Sequence, residues 1–213
     1  VERGKISRMA AAKSFLPPAR ARVVDLAGRY LLPGFVDLHV HGGMGFEFGG
    51  ARRKEIQAIL GHFAAHGTTR LLATVCPERG PELLRTLRSL AAITRDGFGR
   101  GMIHGIHMEG PFLSPAVAGA LKKECFWDAT TANLRRLGEA GRGALRMMTL
   151  APEIPGASEV MRAAVREGIV LAVAHSRATY EDVEAAIDQG LSQVTHVFNA
   201  MAPLHHRRPG PLA

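Results

Sequence analysis

Residues 33–43, PGFVDLHVHGG, decide how this chain is read. An apolar run carries two imidazoles, His39 and His41, one residue apart, and glycines follow at once. Side chains alternate along a strand, so the two histidines share one face. Unpartnered imidazoles in a core are costly, so that face is expected to meet a cation or a polar partner.

Working outward, residues 1–32 read as short strands and turns (GKISRM, then ARVVDLAGRYLL) and are assigned to part of a small β-domain. From residue 33 to 213 the rhythm changes. Apolar strands at 35–41, 69–75, 102–109, 144–150, 169–176 and 192–198 alternate with helices at 52–66, 81–95, 130–140, 158–167 and 179–189. In the last helix Thr179 is placed to cap and Asp182 sits at N3. Such alternation predicts parallel βα units, whose buried strands run continuously apolar.

The residues with chemistry to offer fall at or just past strand C-termini: His39, His41, Cys76, His107, Glu109, Glu153, His175 and His196. A (β/α) TIM barrel gathers its site from those ends. A doubly wound sheet would show a Gly-rich phosphate fingerprint after its first strand, and GGMGFEFGG does not match it. The fold class is therefore an α/β barrel that is incomplete, with about six of eight strands.

Composition narrows the function classes. With 46% hydrophobic and 22% charged residues the chain is an ordinary globular one. No apolar run approaches the roughly 20 residues of a membrane span. The net charge of +8 is spread along the chain without interleaved aromatic platforms, so no nucleic-acid partner is expected. Cys76 and Cys125 show no paired spacing, which points to a reducing, cytoplasmic setting. Cys76 itself reads as a core residue.

Glu109, His175 and His196 are ligand types for a divalent ion, each at the end of an apolar strand, and a buried Glu needs a cation or a pair. Taken alone, the HxH of His39 and His41 fits ligands and hydrogen-bonded structural histidines equally.

In order and spacing, PGFVDLHVHGG, GIHMEGPFLSP, LAPE, AHSRATYEDVEAAIDQG and THVFNAM resemble the N-acetylglucosamine-6-phosphate deacetylases of the amidohydrolase superfamily. The resemblance covers nearly the whole chain. It implies that Glu109, His175 and His196 hold the principal metal and that His39 and His41 belong to a possible second one. The cofactor would be a divalent metal, Zn²⁺ first, with Fe²⁺, Co²⁺ or Mn²⁺ as alternatives, one or two per chain. It further implies that Asn199, Ala200 and Ala120 contact the sugar. Arg207 would hold the phosphate, and in a homodimer could reach into the neighbouring subunit. Leu121 departs from the family pattern, which commonly has His there.

The implied reaction is deacetylation of N-acetylglucosamine 6-phosphate, a small-molecule amino-sugar phosphate, to glucosamine 6-phosphate and acetate. The general-base Asp that the resemblance implies would fall beyond residue 213, so no residue of this chain is assigned as catalytic. Two rival readings share the metal residues: an amidohydrolase acting on N-acyl amino acids or cyclic amides, and a non-catalytic metal or sugar-phosphate binding protein.

Overall fold

The computed structural model describes residues 1–3, 5–11 and 14–212 of the chain, and it realises the βα alternation. The chain divides into two units, Val1–Pro33 and Gly34–Ala213. Within the first, the described residues carry one isolated antiparallel bridge, Glu2 with Lys5, and no strand. Residue 4 lies outside the described residues, and at 5–9 and 21–32 the short strands read from the sequence are not formed. A strand needs neighbours to take its backbone bonds and a layer to cover its apolar side chains. Here Val23, Val24, Leu31 and Leu32 all lie exposed.

The second unit contains β1 (Phe35–Val40), a small hairpin of β2 (Gly42–Gly43) and β3 (Phe46–Glu47), α1 (Arg53–Ala65), β4 (Thr68–Val75), α2 (Gly80–Arg95) and β5 (Ile103–Glu109). Then follow α3 (Thr131–Gly141), β6 (Leu145–Leu150), α4 (Ala157–Arg166), β7 (Val170–Val173), α5 (Tyr180–Ile187) and β8 (Leu191–Val194). Six strands form one parallel sheet in the order β1-β4-β5-β6-β7-β8, each joined to the next through a helical crossover. This is an incomplete TIM barrel.

Local chemistry explains the elements. Helices α2 and α4 bury one stripe each (Leu83, Leu87, Leu90 and Val160, Met161, Ala164) against the sheet layer. Thr179 caps α5 as expected: its Oγ1 accepts the Asp182 N–H at 3.2 Å, and Asp182 Oδ2 accepts the Thr179 N–H at 2.8 Å. The core is Leu, Ile and Met from both layers, including Ile56, Leu71, Ile106, Met108, Met148 and Leu171.

Two features position the site. First, β7 and β8 stop at Val173 and Val194, so His175 and His196 sit two residues beyond the ladder instead of closing it. Second, the β1–β4 register slips between Asp37 and Val40. There the His39 N–H goes to Asp37 Oδ1 at 3.0 Å and the Val40 N–H to Thr74 Oγ1 at 2.9 Å. At this slip two side chains, those of Asp37 and of Thr74 on the partner strand, take the backbone N–H groups of His39 and Val40. As an outer strand of the sheet, β1 leaves Phe35, Val36 and Leu38 exposed.

Candidate metal centre

Glu109 ends β5 with its carboxylate almost fully buried, and four histidines from three strand ends converge on it. Its Oε1 lies 3.2 Å from His175 Nε2 and 3.0 Å from His196 Nε2. Its Oε2 lies 3.1 Å from His41 Nε2, while His39 Nε2 is 3.9 Å from Oε1. The two groups Glu109–His175–His196 and His39–His41–Glu109 each offer ligand atoms within 4.8 Å of one another. Glu109 belongs to both and bridges them.

The tautomers follow from the outer partners. His175 Nδ1 faces the Val117 carbonyl at 3.1 Å, and His196 Nδ1 faces the Asn199 carbonyl at 3.1 Å. A carbonyl only accepts, so both Nδ1 atoms carry the proton and both Nε2 lone pairs point inward. Those lone pairs stand 3.0 Å apart beside a carboxylate oxygen. Three acceptors converging at this separation repel one another unless a cation lies among them. The donor set, imidazole nitrogen with carboxylate oxygen, is one that divalent transition metals accept.

Electrostatics point the same way. Burial alone would push the Glu109 carboxyl up, but the facing histidines, His175 and His196 first, hold it far below the usual carboxylate range. The Glu109 carboxylate draws the His196 imidazole up. His41 is pushed up to about 10, first by its contact with Cys76 and then by Glu109. His39 is lowered, chiefly by burial. The Glu109 and His196 shifts, and in part that of His41, report a carboxylate that is ionised and surrounded.

Cys76 differs from its reading as a core residue. It is half-buried, with Sγ 3.4 Å from His41 Nδ1 and 3.9 Å from Glu109 Oε2. His107, fully buried behind His39, places Nδ1 2.9 Å from the Leu38 carbonyl and 3.3 Å from His39 Nδ1. Its Nε2 meets Thr149 Oγ1 at 2.8 Å, which in turn meets Thr195 Oγ1 at 2.8 Å. Burial drives the His107 imidazole down to about 4. Glu153 accepts from Ser176 Oγ at 2.7 Å and from the Arg177 N–H at 2.6 Å, locking the turn after His175.

The residues expected to touch sugar gather beside this centre. A Cβ placed on Gly119 would stand 3.5 Å from both Ala200 Cβ and His175 Cε1, so the loop bearing Ala120 packs against the segment bearing Asn199 and Ala200. Ala200 itself accepts the Ser176 N–H at 3.2 Å. His175, His196, Phe198 and Ala200 all have positive φ, a concentration of local backbone strain at one place. A cavity of about 460 Å³ is lined by Cys76, Ala120, Leu121 and Cys125. Arg207 is exposed and lines a second cavity, of about 330 Å³, together with Arg177 and Arg208. The Thr149–Thr195 pair behind His107 is what sequence reading passed over at this centre, and Cys76 is the residue it placed in the core. Only Cys76 carried a signal, its place at a strand end.

Fold and site together define an incomplete βα barrel that carries a candidate metal centre at its strand ends. The chain belongs to the amidohydrolase family, whose model matches residues 30–209. Among curated relatives, it is 31% identical over 210 residues to the N-acetylglucosamine-6-phosphate deacetylase of Bacillus subtilis, covering 97% of this chain and 53% of that protein. It is 29% identical to an N-acetylgalactosamine-6-phosphate deacetylase of Escherichia coli, over 92% of this chain and 52% of that protein. A solved structure of a variant N-acetyl-D-glucosamine-6-phosphate deacetylase from Mycobacterium smegmatis, in complex with N-acetyl-D-glucosamine-6-phosphate, superposes with a TM-score of 0.80 at 42% identity. That match covers 84% of this chain and 46% of the other. The chain thus spans about half the length of the relatives it matches.

Proposed function

We propose that the protein to which this chain belongs removes the acetyl group from N-acetylglucosamine 6-phosphate, giving glucosamine 6-phosphate and acetate. The observation that carries the reading is the convergence of two imidazole lone pairs and a buried carboxylate on one point. The names of the relatives support the substrate.

Glu109, His175 and His196 would hold the principal ion, and His39 and His41, beside the same carboxylate, would hold a second one where the chain takes two. Zn²⁺ suits this donor set best, and Fe²⁺, Co²⁺ or Mn²⁺ would be accepted by the same ligands. When bound, the ion supplies Lewis-acid polarisation of the amide carbonyl and lowers the pKa of water toward neutrality. Asn199, Ala200 and Ala120 orient the sugar, and the Arg207 guanidinium pairs with the phosphate through its planar fork. The general base is a residue outside residues 1–213. The ligand is a small molecule, the working form a cytoplasmic homodimer, and neither nucleic acid nor membrane takes part. Among the described residues no helix is long and apolar enough to cross a membrane. Residues 1–32 belong to a small β-domain, and residues 33–213 to the barrel.

Acetate release by the intact, zinc-loaded protein tests this directly. Turnover of N-acetylglucosamine 6-phosphate that exceeds turnover of its galactosamine epimer and of the unphosphorylated sugar is expected. Preference for an N-acyl amino acid would sink the reading while leaving the metal centre in place.

A further inference from the structure

Two of the segments that carry histidines to Glu109 lie where the sheet ladder gives out. Leu38 and His39 fall inside the register slip between Asp37 and Val40 on β1. Thr195 and His196 follow Val194, the last residue of β8, with the Thr195 N–H still on the Val173 carbonyl at 3.0 Å. A metal site holds its distances to within about 0.2 Å, so ligands on such backbone need a further tie.

One side chain meets both segments. His107, on β5, is fully buried. Its Nδ1 faces the carbonyl of Leu38, the residue before His39, at 2.9 Å, and because a carbonyl only accepts, Nδ1 donates. The same nitrogen stands 3.3 Å from His39 Nδ1, so the ring also backs that imidazole. At the far side of the ring, Nε2 pairs with Thr149 Oγ1 on β6 at 2.8 Å. That hydroxyl pairs at 2.8 Å with the hydroxyl of Thr195, the residue before His196. Thr149 and Thr195 are buried as well. The relay thus runs from residue 38 to residue 195, touching β1, β5, β6 and the end of β8 and passing over β4. Apolar side chains could fill the same space, but hydrogen bonds weaken steeply with distance and angle and so fix both.

We propose that His107 is the positioning residue that sets the two ligand segments relative to each other. Its δ nitrogen holds the His39–His41 segment through Leu38, and its ε nitrogen holds the His196 segment through Thr149 and Thr195. This rests on the metal centre of the reading above and is independent of which substrate is turned over. The amide of Asn reaches the place of Nδ1 and that of Gln the place of Nε2, so each substitution at 107 cuts one arm.

The test is titration of the intact, metal-free protein with Co²⁺ against a chromophoric chelator, with the cobalt absorption bands read as a signature of ligand geometry. His107→Asn is expected to weaken the tighter ion about tenfold and alter its bands, with the second ion unchanged. His107→Gln should weaken the second ion about tenfold and spare the tighter one. Thr195→Val cuts the ε arm at its far end and leaves the buried imidazole in place, so it decides the matter if the His107 variants do not fold. It should repeat the His107→Asn result, and Thr195→Ser should restore the unmutated one. Equal weakening of both ions by His107→Asn and His107→Gln would overturn the proposal, since a merely structural core histidine behaves in that way. So would unaltered cobalt affinity and bands in Thr195→Val, or a single ion taken up by the unmutated protein. Two ions and these variant effects, without acetate release from N-acetylglucosamine 6-phosphate, would sustain the positioning role and defeat the deacetylase reading.

Discussion

The two halves of the metal centre share Glu109 yet are held in different ways. In the His175–His196 half, both outer nitrogens donate to backbone carbonyls, of Val117 and Asn199, so each tautomer is fixed by groups that cannot titrate. In the His39–His41 half the outer nitrogens face His107 and Cys76, side chains that can themselves give or take a proton. The burial differs less: the His175 side chain is 4% and that of His196 23% exposed, against 29% for His39 and 37% for His41. A site oriented by backbone is ready for an ion at little reorganisation cost. One oriented by titratable side chains binds only when those side chains are in the right protonation state. On this ground the first half is proposed as the principal site and the second as a conditional one.

The largest effect is expected from breaking the principal half. His175→Ala should weaken binding of the tightest ion by more than about 100-fold, beyond the range seen when only an orienting partner is lost. Elemental analysis after extensive dialysis reads this, and retention of a full complement would abolish the distinction between the halves. A smaller effect is expected from His39→Asn combined with His41→Asn. Metal content in a replete sample should fall from about two ions per chain toward one, with the tight ion retained. Unchanged stoichiometry would mean that the pair is structural.

The smallest effect is on stability, and it comes from the buried group behind the conditional half. His107 has its folded-state pKa lowered from 6.5 to about 4 by burial. Between those values the unfolded chain binds the proton and the folded one does not, so stability falls as pH drops from 6.5 to about 4 and levels off below that. At about 1.4 kcal/mol per pH unit across that interval the loss approaches 3 kcal/mol for the metal-free protein. The raised groups His41 and His196 act above pH 6.5 with the opposite sign and depressed Glu109 acts below 4.5, while His39, also lowered by burial, adds to the fall within the window, so the His107 share is read from its variant. Urea unfolding at pH 6.5 and pH 4.5 should show the slope, and His107→Gln should flatten it. An equal slope in that variant would assign the titration to another group.

Much of this centre was legible along the chain because its ligands mark strand ends. Apolar runs of six or seven residues, each closed by His or Glu, located Glu109, His175, His196, His39 and His41 without any knowledge of contacts. What escaped were residues whose role is defined by neighbours far away in sequence. Cys76 looked like core because a cysteine at the end of an apolar strand usually is, yet it stands against His41 and Glu109, 35 and 33 residues away. Residues 1–32 went the other way: their β-prone runs suggested strands, but in this unit no neighbouring strand pairs with them.

By itself, then, the sequence determined the βα alternation, the capping of α5 and which residues of ligand type stand at the strand ends, because period, caps and residue type are local properties. Only the tertiary structure decided that Glu109 bridges two groups, which tautomer each histidine adopts, and that His107 is neutral. Those depend on which carbonyl or side chain each ring nitrogen meets across the barrel, a distance set by sheet register and loop packing that no local pattern encodes.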